Sequence, residues 1–244
     1  MNKKIIIILV LMFLPTFSLA EEGGEKMLKE NRVAQYLDKF HDLGHDGSTY
    51  AERIDIMTKV IDLEPDKATH YYNRGVIYAY SDEYDKAFID YSKALELNPN
   101  HTGALGNRAV IFSDRGEYDK ATSDCEEAVK IDPNCFASFN LPNFILERGK
   151  QRMEEKCYDK AIESFTQLIN DYDNPGFRST NAYVYRAECY LAKSEINKCK
   201  EDIQKAEEIL KESEPHDWKS ERLGSIDRLK KKIREQAWQG IFYF

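Results

Sequence analysis

The sequence predicts an all-α protein, an α-solenoid of stacked antiparallel helix hairpins closed by a C-terminal capping helix. Three observations lead to this class. Pro65, Pro99 and Pro133 are spaced by 34 and 34 residues, and Tyr84/Tyr118, Ala87/Ala121, Ala94/Ala128 and Tyr78/Phe112 keep that interval. The 244 residues include only 12 Gly and 7 Pro, too few breakers for a turn-rich β protein. Within Tyr71–Tyr80 and again within Tyr84–Leu97, apolar and small residues recur at intervals of three and four, the helical period. The formal charge of −8 argues against a nucleic-acid partner, because binding a phosphate backbone takes a basic surface.

Residues 1–20, MNKKIIIILVLMFLPTFSLA, join a Lys3-Lys4 start to an apolar run and a small-residue Ser18-Leu19-Ala20 end. That is the pattern of an export signal cut after Ala20, and the apolar run is too short to span a bilayer. The expected location is therefore outside the cytoplasm, periplasmic or secreted. Cleavage leaves 33 basic and 43 acidic residues, a net charge of −10. Residues 21–33 form a lead-in, and 34–67 fit a degenerate first repeat that ends in VIDLEP but carries Arg53 where a small residue belongs. Repeats follow at 68–101, 102–135 and 142–175, with a further repeat-like unit at 180–213. Six extra residues precede the 142–175 unit and four precede the next, the latter near the Asn174-Pro175-Gly176 turn. Residues 214–244 complete the chain as an amphipathic helix and tail, with Trp218, Leu223, Ile226, Leu229, Ile233 and Ala237 on one face.

A hairpin from one repeat cannot bury both its faces, so copies stack and share a core. Gly75 and Ala87 are small where two antiparallel helices approach, and Tyr78 and Tyr91 fill the space beside them. Proline at each unit end stops the second helix because it cannot continue the hydrogen-bond ladder. Over residues 34–213 the chain resembles the tetratricopeptide repeat family, whose signature in the second unit is Tyr71, Gly75, Tyr78, Ala87, Tyr91, Ala94 and Pro99.

The resemblance implies a superhelix whose concave surface, lined by the first helix of each unit, binds a peptide or protein segment. Mapped residue by residue, the inner positions are Tyr72, Asn73, Val76 and Tyr80, then Asn107, Val110 and Asp114, then Leu146, Glu147 and Lys150, then Tyr185 and Glu188. Rings flanked by amides suit an extended peptide, burying its apolar side chains while pairing its backbone. Some family members clamp the C-terminal carboxylate of heat-shock chaperones with Lys, Asn and Arg. Asn73 and Asn107 match, but Gly103 stands at a basic position, so that subclass is not expected.

Arg74, Arg108, Arg148 and Arg186 recur at one register, and Asp90, Asp124 and Asp202 follow sixteen residues later in three units. Two readings stand: a row of cations for an acidic ligand, and a structural Arg–Asp ladder in which half-buried charges satisfy each other. In the fourth unit Ser164 replaces the aspartate, which leaves Arg148 freer or turns it to Glu163. The five cysteines are an odd count; Cys157 and Cys189 fall on adjacent helices where a disulfide could form, while Cys125 and Cys199 read as buried thiols. His41 and His45 are four apart, but Gly44 and Gly47 break a helix there and no third metal ligand follows. No phosphate loop, nucleophile motif or acid–base pair appears, so no cofactor, no metal, no small-molecule substrate and no enzymatic activity are expected. The leading function is an exported binding scaffold, with roles such as envelope assembly or secretion. One alternative is a membrane-surface adaptor using the basic C-terminal helix (Arg222, Arg228, Lys230, Lys231, Lys232, Arg234). The other is an enzyme with an unrecognised site.

Overall fold

The computed structural model describes residues 24–43, 49–172, 177–212 and 217–242. The export signal, His45, the Asn174-Pro175-Gly176 turn and the last two residues lie outside these. Eleven helices are described: α1 (24–42), then α2 (Tyr50–Leu63), α3 (Ala68–Tyr80), α4 (Tyr84–Leu97), α5 (Thr102–Asp114), α6 (Tyr118–Ile131), α7 (Ala137–Glu154), α8 (Tyr158–Asp171), α9 (Phe177–Ala192), α10 (Ile196–Glu212) and α11 (Asp217–Phe242). No strand occurs among the described residues. Helix α1 starts at residue 24, so most of the stretch assigned as a lead-in is the beginning of a helix.

The chain divides into two compact units, Met1–Ala104 and Leu105–Phe244, with the first turn of α5 in the former. In the first unit α2 packs on α3 and α3 on α4. Val33 and Phe40 of α1 join Ile56, Met57 and Val60 of α2 and Ile77 of α3 in one core. In the second unit the sequential pairs α6–α7, α7–α8, α8–α9 and α9–α10 are in contact, and α11 packs on α9 and α10.

The turns explain why each hairpin closes where it does. Asp82, Lys156 and Ser194 have φ near 60° (59°, 59°, 61°), and Gly116 has φ 73°. They occupy equivalent places in four turns between first and second helices. Each is followed by a backbone bond that reaches back five residues: Glu83 N–H to Tyr78, Glu117 to Phe112, Cys157 to Arg152 and Glu195 to Tyr190, all 2.8 Å. A left-handed residue with this bond ends a helix and satisfies its last carbonyls. The second helices end differently: Glu64, Asn98 and Asp132 bond back to Val60, Ala94 and Ala128 at 2.8, 2.8 and 2.9 Å, and proline follows each.

Within hairpins, small residues meet large ones sixteen positions on. A Cβ on Gly75 would lie 2.8 Å from the Tyr91 ring, and one on Gly149 would lie 2.5 Å from Phe165. Ala109 and Ala187 hold the same place where the facing residue is the smaller Cys125 or Ile203. All eight are buried or, for the glycines, covered by the ring. Glycine therefore accompanies an aromatic partner and alanine a smaller one, so the pair's volume is shared between its members.

The apolar insertion before the fourth unit lengthens α7 by an extra turn, with Pro142 inside the helix at the point where the repeat itself begins. Leu141 and Phe144 are buried, whereas Phe136 and Phe139 are exposed. At the other end Ile226, Leu229 and Ile233 of α11 are buried with Val184, Leu191, Ile203 and Leu210, so α11 covers the core left open by the last hairpin. Leu223, expected on that face, is 42% exposed, and the side chain of Ala237 lies outside the described residues. Among the described residues, no helix is long and apolar enough to cross a membrane.

Candidate functional site

The repeated arginines are built into the hairpins. Arg74 donates from Nε and Nη2 to both carboxylate oxygens of Asp90 at 2.8 Å, and its Nη1 reaches Thr58 of α2 at 3.1 Å. Arg108 grips Asp124 the same way at 2.7 and 2.8 Å. Arg186 grips Asp202 at 2.8 and 2.7 Å and reaches Thr166 of α8 at 2.9 Å. Rings flank the guanidinium groups, with Tyr71 and Tyr78 at Arg74 and Tyr183 and Tyr190 at Arg186. These are structural pairs in which a planar fork ties a hairpin together and, in two cases, to the helix before it. They do not present a row of cations to a ligand.

Arg148 departs from the ladder. Ser164 accepts instead from Arg152 Nη1 at 2.8 Å, and Arg148 donates from Nη2 to Gln167 at 2.6 Å rather than to Glu163. Gln167 passes the interaction on to Glu126 at 2.9 Å. With no carboxylate in direct contact, burial and then the neighbouring Arg152 lower the pKa of Arg148, whereas Arg74 and Arg186 are raised by their aspartates.

The first repeat breaks the pattern more deeply. Thirty-four residues before Arg74 stands Phe40, and thirty-four before Asp90 stands Ile56. The register that holds buried Ala87, Ala121 and Ala161 in α4, α6 and α8 holds Arg53 in α2. The two registers that hold the ladder pair in later hairpins are thus apolar here, and a cation sits at a close-packing position. Arg53 is only 6% exposed, with its Cζ 4.4 Å from the centre of the Phe40 ring.

A cavity of about 660 Å³ opens beside it, lined by Phe40, His41, Tyr50, Arg53, Tyr72, Asn73, Val76, Ile77 and Tyr80. Tyr50 and Tyr80 stack at the mouth with ring centres 6.5 Å apart, and Tyr80 is 69% exposed. Tyr72 is held from behind by His101 at 4.5 Å and Tyr91 at 6.0 Å. Its hydroxyl would lie 3.0 Å from a Cβ on Gly103, so this glycine is the floor on which the ring rests. Among the described residues, those that line the cavity include neither Asp nor Glu. The arrangement can bury an apolar side chain between rings and pair a backbone through Asn73.

Four inner-face residues named from the sequence, Tyr72, Asn73, Val76 and Tyr80, line this cavity. The other eight lie in the second unit. Asn107 and Val110 are half-buried and Asp114 is exposed on α5. Leu146 is buried in the core rather than presented on a face. Glu147 and Lys150 pair with each other at 2.8 Å. Tyr185 stacks on Phe165 at 5.7 Å, with Arg222 of α11 5.6 Å from its ring centre. Burial raises the pKa of Glu188, opposed by Lys232, Arg228 and Arg222. Helix α11 thus takes up the inner positions of the last hairpin. Phe40, His41 and Tyr50 were not singled out as site residues; the one signal in their favour was Arg53 at an alanine position.

All five cysteines are free. Cys157 and Cys189 are not bonded: Cys157 is exposed just before α8 and Cys189 is buried within α9. Burial pushes the Cys125 and Cys189 thiols up to about 12 and Cys199 to about 11, so these three are packing groups and poor nucleophiles. No cluster of three metal-ligating side chains occurs among the described residues.

The tetratricopeptide repeat family model matches residues 68–101 and 103–135, the α3–α4 and α5–α6 hairpins. These two hairpins thus match the tetratricopeptide repeat. Its fold is similar to that of the crystal structure of MamA protein, with a TM-score of 0.52 at 18% identity, covering 75% of this chain and 93% of that one. It is also similar to YrrB, described as a TPR protein with an unusual peptide-binding site, with a TM-score of 0.50 at 18% identity over 77% of this chain and 92% of that one. No curated protein matches the sequence.

Proposed function

We propose that this protein is an exported, non-catalytic scaffold that binds a peptide or protein segment on the face formed by its first helices, with the cavity beside α3 as the anchoring point. The carrying observation is the convergence of Tyr72, Asn73, Val76 and Tyr80 with Phe40, Tyr50 and Arg53 around one opening. A concave site with aromatic walls and a few polar groups is the usual form of an anchor pocket. The similarity to YrrB, a TPR protein with a peptide-binding site, supports the same reading. Export rests on the pattern of residues 1–20, and roles in envelope assembly or secretion follow from that location. The packing of Ile226, Leu229 and Ile233 into the core weighs against a membrane-lying α11, whose apolar face is already used.

The test is selection of peptides that bind the chain, followed by their titration against Tyr72→Ala/Tyr80→Ala and against Ile89→Ala, which alters an exposed residue of α4. The pocket variant should weaken binding by about tenfold or more, while Ile89→Ala leaves it unchanged. Equal binding to both variants would place the site elsewhere. Protein recovered from an exporting host should begin at Glu21; an intact residue 1–20 segment would reject the export reading.

A further inference from the structure

Resting on the reading of this cavity as a peptide anchor, we propose that His101 is its positioning residue: the neutral imidazole fixes the Tyr72 wall, and protonation releases it. His101 is the residue before α5, and its Nδ1 accepts the Ala104 N–H at 3.2 Å. That is the bond of an N-cap, which satisfies one of the first unpaired amides of a helix. The residues before α3 and α7, Lys67 and Phe136, make no such side-chain bond. Capping fixes the orientation of the His101 ring, and its neighbour is Tyr72, with ring centres 4.5 Å apart and 39° between the planes. Gly103 lies close to the same tyrosine, since a Cβ there would be 3.0 Å from the hydroxyl. The start of α5 thus backs Tyr72, a residue that lines the cavity. His101 is not among the described lining residues and acts through Tyr72.

The cap determines the charge state. An imidazole nitrogen that accepts a backbone N–H carries no proton, so the ring is neutral with its proton on Nε2. Protonation sets N–H against N–H at the cap, beside the partial positive charge of a helix start. Burial acts in the same direction and lowers the His101 pKa, with the residue's own backbone opposing. The groups that face the ring are Tyr72 of α3 and the Ala104 amide of α5, with Tyr91 of α4 beside Tyr72. Among the described residues, no charged side chain contributes to the shift. In acid the ring turns away from the amide, and Tyr72 loses its backing. The neutral form belongs to the anchoring state. Anchoring is therefore full above the ordinary histidine pKa and declines as pH falls through the lowered value. By linkage, a bound segment lowers the His101 pKa further, by the logarithm of the factor by which protonation weakens binding.

The probe is an octapeptide with no titratable group, acetyl-Gly-Ser-Phe-Asn-Gln-Phe-Ser-Gly-amide, so any pH dependence belongs to the protein. It is titrated into the full chain by calorimetry between pH 7 and pH 5, and the His101 and Tyr72 ring signals are followed by NMR with and without it. Protonation of His101 should weaken binding about tenfold. In the free chain the Tyr72 ring signals should move together with the His101 titration. His101→Asn keeps the cap without the ring, so it should bind more weakly at pH 7 and lose the pH dependence. His101→Phe restores a ring that cannot titrate and should recover affinity at both pH values; circular dichroism verifies each fold. His41 lines the cavity and His70 meets Glu64 at 2.7 Å, and His41→Asn and His70→Asn should each keep the pH dependence. A pH dependence that survives His101→Asn would overturn the inference, as would Tyr72 signals that ignore the His101 titration. A flat profile, with binding lost in Tyr72→Ala/Tyr80→Ala, would overturn the role of His101 and keep the pocket. Failure of the peptide to bind at either pH would count against the pocket reading, while the Tyr72 signals still decide whether His101 positions that ring.

Discussion

Arg108 and Asp124 show what a repeated charge is for when it is half-buried. Each guanidinium is committed in two directions to its own hairpin, and Arg74 and Arg186 also reach the preceding helix. Removing the carboxylate should therefore strand a cation. Asp124→Asn is expected to cost about 2–4 kcal/mol, measured by urea unfolding. Ser164→Asp, which puts a carboxylate at the ladder position facing Arg148, should instead raise the midpoint. A loss from Ser164→Asp would mean that Arg152 and Gln167 already satisfy that corner. Glu188 gives a pH signature. Its carboxyl is raised by burial, so the neutral form suits the folded state. Its contribution favours folding below the ordinary carboxylate pKa and is lost as pH rises through the raised value. Glu188→Gln should stabilise the protein at pH 7 and change little near pH 4, read from thermal midpoints at both.

At the scale of elements, the hairpin is specified by contacts and turns that repeat. Gly149→Ala would press a Cβ into Phe165 and should cost about 1–3 kcal/mol. Adding Phe165→Ile recreates the Ala187–Ile203 combination of the next hairpin, so the double variant should lose less than the sum of the singles. Strict additivity in that cycle would show that shared volume does not set the pairing. Lys156 has φ 59°, a conformation glycine adopts without steric cost, as Gly116 does in the α5–α6 turn. Lys156→Gly should stabilise by about 1 kcal/mol in denaturant melts. The hairpins were legible because these contacts are local: Arg74–Asp90 and Gly75–Tyr91 both span sixteen residues and recur with the period. What escaped was non-repeating. The covering of Tyr185 and Glu188 by α11 joins elements that share no period, and Leu146 looked exposed because its register is, in the 68–101 repeat, that of the cavity-lining Tyr72. Arg148 kept its register in the sequence while its partner changed.

At the scale of the molecule, most of the chain is spent on stacking hairpins, and function is read where a unit departs from the pattern. The first repeat, 34–67, looked merely degenerate in sequence. Its departures fall together, however: a ring at the arginine register, an arginine at an alanine register and an isoleucine at the aspartate register, with the first two lining a cavity. Only half of that cavity could be named in advance, because the inner-face positions follow from the repeat, whereas Phe40 and Tyr50 belong to the unit in which the repeat fades. The most direct measurement is amide chemical-shift mapping of the full chain with a selected peptide. The account predicts perturbations concentrated on residues 40–53 and 72–80, abolished in Tyr72→Ala/Tyr80→Ala. Perturbations centred on α11, or on the exposed Phe136 and Phe139 of the second unit, would contradict it.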